Sequence, residues 1–181
     1  MKELFCEAGD YGSGFRGDYD TIVESFGYEV MFAVSTGDYQ GTIYYLLRDG
    51  TRFGTLDVGY GSCSGCDSLA ACETPNQVIE LQRDIFAGIK WYESSRGLVE
   101  DLLAQELSSY YERDETKVFL KHLPRIEFSA HTRTAIRDVD FSVEILNDML
   151  IEDGYNNIAA ALRMKPQSVL IRLREYLCST D

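Results

Sequence analysis

The sequence predicts an α+β fold, with an N-terminal antiparallel sheet of about three strands followed by a helical C-terminal half. Two observations carry this. Between residues 29 and 58 the β-branched and aromatic residues gather into three short runs separated by glycine-containing turns. After Gly61 the apolar residues recur at helical spacing to the C-terminus. Strands followed by helices mark α+β rather than an alternating α/β order.

Glu29–Ser35 (EVMFAVS), Thr42–Arg48 (TIYYLLR) and Thr51–Val58 (TRFGTLDV) are the expected strands. Asp49-Gly50 joins the last two as a two-residue hairpin turn with positive φ values, and Gly37–Gly41 gives a looser turn before them. A third strand is needed because a two-stranded ribbon is marginal alone. Val78, Ile79, Leu81, Ile85, Phe86 and Ile89 then follow helical spacing behind Thr74-Pro75, a pair suited to a helix start. Leu98, Leu102, Leu103 and Leu107 predict a second helix. Val118, Phe119, Leu120 and Leu123 predict a third, ended by Pro124. Val143, Ile145, Leu146, Met149 and Leu150 predict a fourth, stopped near Gly154. Residues 1–75 thus read as an acidic β region and residues 76–181 as a helical region packed with it as one unit. No internal repeat, low-complexity tract or linker separates them.

At 181 residues, with 45% hydrophobic and 26% charged side chains, the chain is long enough for a real core and ordinary for a globular protein. No apolar run approaches the ~20 residues of a membrane span. The N-terminal MKELFCEAGD lacks the apolar stretch of a secretory signal, so a cytoplasmic address without membrane contact is expected. The net charge is −13. Residues 1–75 carry twelve acidic against four basic side chains, so the β region is the acidic one. Such a surface repels phosphates and attracts basic protein surfaces.

Gly154–Arg174 runs against this trend, holding Arg163, Lys165, Arg172 and Arg174 and no acid. The surrounding segment, Tyr155–Leu177 (YNNIAAALRMKPQSVLIRLREYL), reads as a short helix buried through Ile158, Ala159 and Leu162. A turn at Arg163–Lys165 and a second helix starting at Pro166 follow, the latter buried through Val169, Leu170, Leu173 and Leu177. This pattern resembles the helix-turn-helix family, whose second helix enters the DNA major groove. The resemblance assigns DNA contact to Lys165, Gln167, Ser168, Arg172 and Arg174. The glycine common in that family's turn is absent, with Arg163-Met164 in its place.

Cys63 and Cys66 form a C-x-x-C pair within GSCSGCD, and Cys72 follows six residues later. A zinc site needs four ligands, and C-x-x-C is a common half of one. Cys63, Cys66 and Cys72 are the candidates for a structural zinc, with Cys6, Asp67, His122 and His131 as further donors, but no second half-site has matching spacing. A thioredoxin-like redox role would set the pair at a helix start after a strand in a βαβ unit. The five cysteines are an odd number, which argues against a disulfide framework. No cofactor is expected. Gly12–Gly17 fits G-x-G-x-x-G, but it follows no strand and Asp18-Tyr19-Asp20 would face any phosphate. No P-loop, metalloprotease helix or nucleophile elbow is present, and a non-enzymatic protein is expected.

Acid–tyrosine pairs recur near the N-terminus: Asp10-Tyr11, Asp18-Tyr19-Asp20 and Asp38-Tyr39. Tyrosine offers rigid contact area, and a carboxylate beside it can pair with Arg or Lys. Asp10, Tyr11, Asp18, Tyr19, Asp20, Asp38 and Tyr39 are therefore the candidate partner-binding residues. The acidic Asp10–Asp38 stretch, the GSCSGCD turn and the Tyr155–Leu177 segment together resemble phage-encoded anti-CRISPR proteins that inhibit type II RNA-guided nucleases. The resemblance is one of type and transfers no residue-level site. It implies a bacterial host cytoplasm and a basic surface of a nuclease–guide RNA complex as partner, occupied by imitation of DNA charge. The alternative is a sequence-specific DNA-binding regulator, a homodimer acting through Tyr155–Leu177.

Overall fold

The computed structural model describes residues 17–37, 39–63, 65–108, 120, 123 and 126–178. Among them it has one four-stranded antiparallel sheet and seven helices, and the helices dominate the C-terminal half, so the chain is α+β. It divides into two compact units, Met1–Ser94 and Ser95–Asp181. None of the described helices is long and apolar enough to cross a membrane.

In the first unit α1 (Tyr19–Glu24) precedes β1 (Glu29–Thr36), β2 (Gly41–Asp49) and β3 (Arg52–Tyr60); α2 (Pro75–Ala87) and β4 (Lys90–Tyr92) follow. The strands lie side by side in chain order. The β2–β3 register sets Tyr45 opposite Leu56 and Ile43 opposite Val58, so the alternating apolar residues of both strands share one face. Tyr19, Ile22 and Val23 of α1, Ile85 of α2 and the following Ile89 complete that core. Gly54 is opposite Trp91. A Cβ at Gly54 would come within 2.9 Å of Ile89 and 3.1 Å of Trp91, so the missing side chain lets β4 seat against β3.

Several features differ from the sequence reading. The β2–β3 turn is Gly50-Thr51, one residue later than Asp49-Gly50, because Asp49 still pairs with Arg52. Only Gly50 has positive φ, +60°, as a type II′ turn requires. Two short elements were not anticipated: β4, with three residues, and α1, with six. α2 ends at Ala87, so Ile89 lies beyond it. The change of period near residue 75 marks where strand gives way to helix, whereas the compact unit continues to Ser94. Of the expected 118–123 helix only Leu120 and Leu123 are described, the latter buried; the rest lies outside the described residues.

The second unit contains α3 (Ser95–Ser108), α4 (Ala130–Arg137), α5 (Val143–Glu152), α6 (Asn156–Met164) and α7 (Pro166–Cys178). α4 was not anticipated; Ser129 caps it, accepting from the Thr132 N–H. α6 packs on α3, α5 and α7, with Ile158 and Leu162 fully buried. The predicted stop after α5 is a Schellman closure. Gly154 has φ +82°, its N–H donates to Ile151 O at 2.9 Å, and the Tyr155 N–H donates to Leu150 O at 2.7 Å.

Several helix ends are satisfied from distant elements. The start of α6 has no side-chain cap of its own; Asn157 N–H donates 2.8 Å to the Glu100 carboxylate of α3. At the end of α4, Arg174 donates to Ile136 O at 2.7 Å and to Asp138 O at 2.9 Å. Near the end of α3, Arg172 donates to Glu106 O. Cations at helix C-termini suit both the unpaired carbonyls and the helix dipole. Arg174→Ala should therefore lower the unfolding free energy by about 1.5–3 kcal/mol, the range for a charged hydrogen-bond donor. Urea denaturation followed by circular dichroism measures it.

Candidate functional site

A cleft of about 480 Å³ opens in the first unit, lined by Asp18, Tyr19 and Asp20, by Ile43 and Tyr60 of the sheet, and by Asp67 and its neighbours. Local chemistry fixes each acidic residue. Asp18 is the N-cap of α1: its Oδ1 accepts from the Thr21 N–H at 3.0 Å, and the Asp18 N–H donates back to Thr21 Oγ1 at 3.4 Å. This reciprocal box starts the helix. The Thr21 N–H holds the Asp18 carboxyl below the usual carboxylate range. Asp20, in the first turn, accepts 2.6 Å from the Tyr45 hydroxyl. Burial, reinforced by Asp20, pushes the Tyr45 phenol well above its ordinary value.

Asp67 is buried and more heavily bonded. Oδ1 accepts from the Tyr19 hydroxyl and the Ala70 N–H, both at 2.9 Å, and Oδ2 accepts from the Gly61 N–H at 2.8 Å. Burial alone would raise its pKa, but these donors outweigh burial and hold it below the ordinary range. The Tyr19 hydroxyl accepts in turn from the Leu69 N–H at 3.0 Å. Burial pushes the Tyr19 phenol up to about 12, and the bond to Asp67 acts the same way against the Leu69 donor.

The cleft thus gathers Asp18, Tyr19 and Asp20 from the expected partner-binding set. Asp18 and Asp20 are exposed. Tyr19 is a correction. It is buried within the core and its hydroxyl is engaged inward, so it positions the cleft and offers no ring to a partner. Tyr39 is 81% exposed but does not line the cleft. Asp10, Tyr11 and Asp38 lie outside the described residues. Tyr60, whose hydroxyl donates 2.6 Å to Gly37 O and so pins the β1–β2 turn, and Asp67 were not expected in this role. The adjacency of Asp67 to the glycine-rich C-x-x-C turn was its one signal.

Cys63 and Cys66 are exposed, with sulfurs 2.8 Å apart. Cys72 is not drawn to them: its thiol donates to Ser68 O at 3.2 Å, and burial pushes that thiol up. Among the described residues no group of three or more His, Cys, Asp or Glu is placed to hold a metal ion. Cys6 and His122 lie outside them, and His131 is an exposed residue of α4.

Gln167 and Ser168 are exposed in the first turn of α7, and Lys165 is exposed just before it. The break between α6 and α7 is Lys165 alone, since Arg163 and Met164 complete α6. Arg172 and Arg174, expected to face DNA, instead donate to the carbonyls described above. No protein-family model, curated protein or solved structure matches the chain.

Asp67→Asn would present an amide N–H₂ to a site that supplies only donors, and should cost about 1–3 kcal/mol at neutral pH. Because folding lowers the Asp67 pKa, its contribution is complete above the unfolded value and fades as pH falls below about 4. The stability gap between wild type and Asp67→Asn should therefore narrow in that acid window. Denaturation midpoints between neutral pH and pH ~3 give the comparison.

Proposed function

We propose that this chain is a non-enzymatic inhibitor. On this reading its acidic N-terminal unit binds the basic channel of a guide-loaded type II CRISPR nuclease and blocks target DNA binding or cleavage. The observation that supports this most is the Asp18–Asp20 rim of the cleft. Both carboxylates are exposed, and both are anchored through Oδ1, by Thr21 and Tyr45. Among the described residues neither carboxylate is in an ion pair. Anchored carboxylates lose little side-chain freedom when they meet an Arg or Lys. A single-sign field over the unit steers association with a basic channel and makes it salt-sensitive.

The alternative, DNA reading by α7, keeps Lys165, Gln167 and Ser168 as exposed residues. It is the weaker reading because Arg172 and Arg174 serve helix ends.

Asp18→Asn with Asp20→Asn removes charge while retaining a good N-cap and a side-chain acceptor for Tyr45. With purified protein in excess over a guide-loaded nuclease, target DNA cleavage should be inhibited. The double variant should inhibit about tenfold less at low salt, with the difference shrinking as salt rises. Uninhibited cleavage across several type II nucleases would refute the inhibitor reading. Full inhibition by the folded double variant would refute this contact surface.

A further inference from the structure

Cys63 and Cys66 lie on the loop after β3, and neither reading above gives their thiols a chemical role. Several observations show a built arrangement. The Cys63 and Cys66 sulfurs are 2.8 Å apart, one thiol within hydrogen-bonding reach of the other. The Cys66 N–H donates 2.9 Å to Cys63 O and closes the turn that brings them together. The loop is also clasped at its base, where Gly61 N–H donates 2.8 Å to Asp67 Oδ2. A Cβ at Gly61 would stand 2.6 Å from Cys66 Sγ and 2.4 Å from Cys66 O, so the bare glycine is what lets Cys66 fold back across the strand exit. Both thiols are exposed to a reactant.

We infer that Cys63 and Cys66 form a reversible dithiol–disulfide centre that exchanges with low-molecular-weight disulfides of the glutathione class. Cys66 is the attacking group: its hydrogen bond with Cys63 favours the thiolate and lowers its pKa. The Cys66 thiolate attacks one sulfur of RSSR; that S–S bond breaks, RS⁻ leaves and takes up a proton, and a mixed disulfide forms. Cys63, deprotonated, then attacks Cys66 Sγ and expels the second RS⁻, which is protonated in turn. The two protein thiols give up two electrons and two protons, and RSSR becomes two RSH. Excess thiol reverses both steps. Because the clasp holds the loop at Gly61 and Asp67, the second step brings together groups already in contact, the condition for a high effective concentration.

Cys72 cannot substitute, because its thiol is turned to Ser68 O and raised by burial. Two sulfurs are also half of what a structural zinc takes.

The test uses the full chain, reduced and then equilibrated in buffers of varied oxidised-to-reduced glutathione ratio at neutral pH. Remaining thiols are alkylated and mapped by peptide mass. Cys63 and Cys66 should lose alkylation together, with the peptide spanning them lighter by two hydrogens, while Cys72 and Cys178 still alkylate. In Cys63→Ser, Cys66 should retain a glutathionyl group that nothing resolves. In the reduced wild type, Cys66 should alkylate several-fold faster than Cys72. Separate glutathionylation of Cys63 and Cys66 in the wild type, or no loss of alkylation in excess oxidised glutathione, would overturn the inference. So would stoichiometric zinc that shields the pair, which would make the turn a metal holder.

Discussion

The buried carboxylate of Asp67 ties the first unit together where α1 meets the exit of the sheet. A charge removed from water is costly unless hydrogen bonds replace its hydration, and here three donors do so: Tyr19 from α1, Gly61 from the end of β3 and Ala70 from the loop itself. Those donors come from three separate stretches of chain. Satisfying one carboxylate therefore fixes the start of α1 against the exit of the sheet. Asp18 and Asp20 stand on one side of that joint and the Cys63–Cys66 turn on the other. The cleft, which Asp67 itself lines, and the Cys63–Cys66 turn beside it both depend on this one carboxylate.

Formal charge overstates the acidity that unit can present. Asp67 is used internally, and Asp18 and Asp20 each commit one oxygen to the fold. What remains outward is held in fixed positions by those same bonds. For recognition of a basic surface this matters more than the net value, since an anchored carboxylate gives direction as well as sign.

In the second unit charged side chains close helix ends across the packing. Glu100 caps the start of α6, Arg174 the end of α4, and Asp153 accepts 2.7 Å from Thr132 beside the Ser129 cap. A segment that looks basic along the chain is therefore less basic at its surface.

The sequence by itself determined the α+β order, the three longer strands, the helices with strong apolar stripes and the stop at Gly154, because period, turn glycines and capping pairs are local properties. It did not reveal β4, whose three residues become a strand only by pairing with β3 beside Gly54. It also missed α1, although the Asp18–Thr21 box is local, because six residues carry little periodicity. Of the candidate site, the sequence singled out Asp18 and Asp20 by composition and Cys63 and Cys66 by spacing. Tertiary structure alone decided that Tyr19 turns inward, that Asp67 joins the pieces and that Arg172 and Arg174 serve carbonyls far along the chain. Those outcomes rest on hydrogen bonds between residues about 40 to 70 positions apart, which no local pattern encodes.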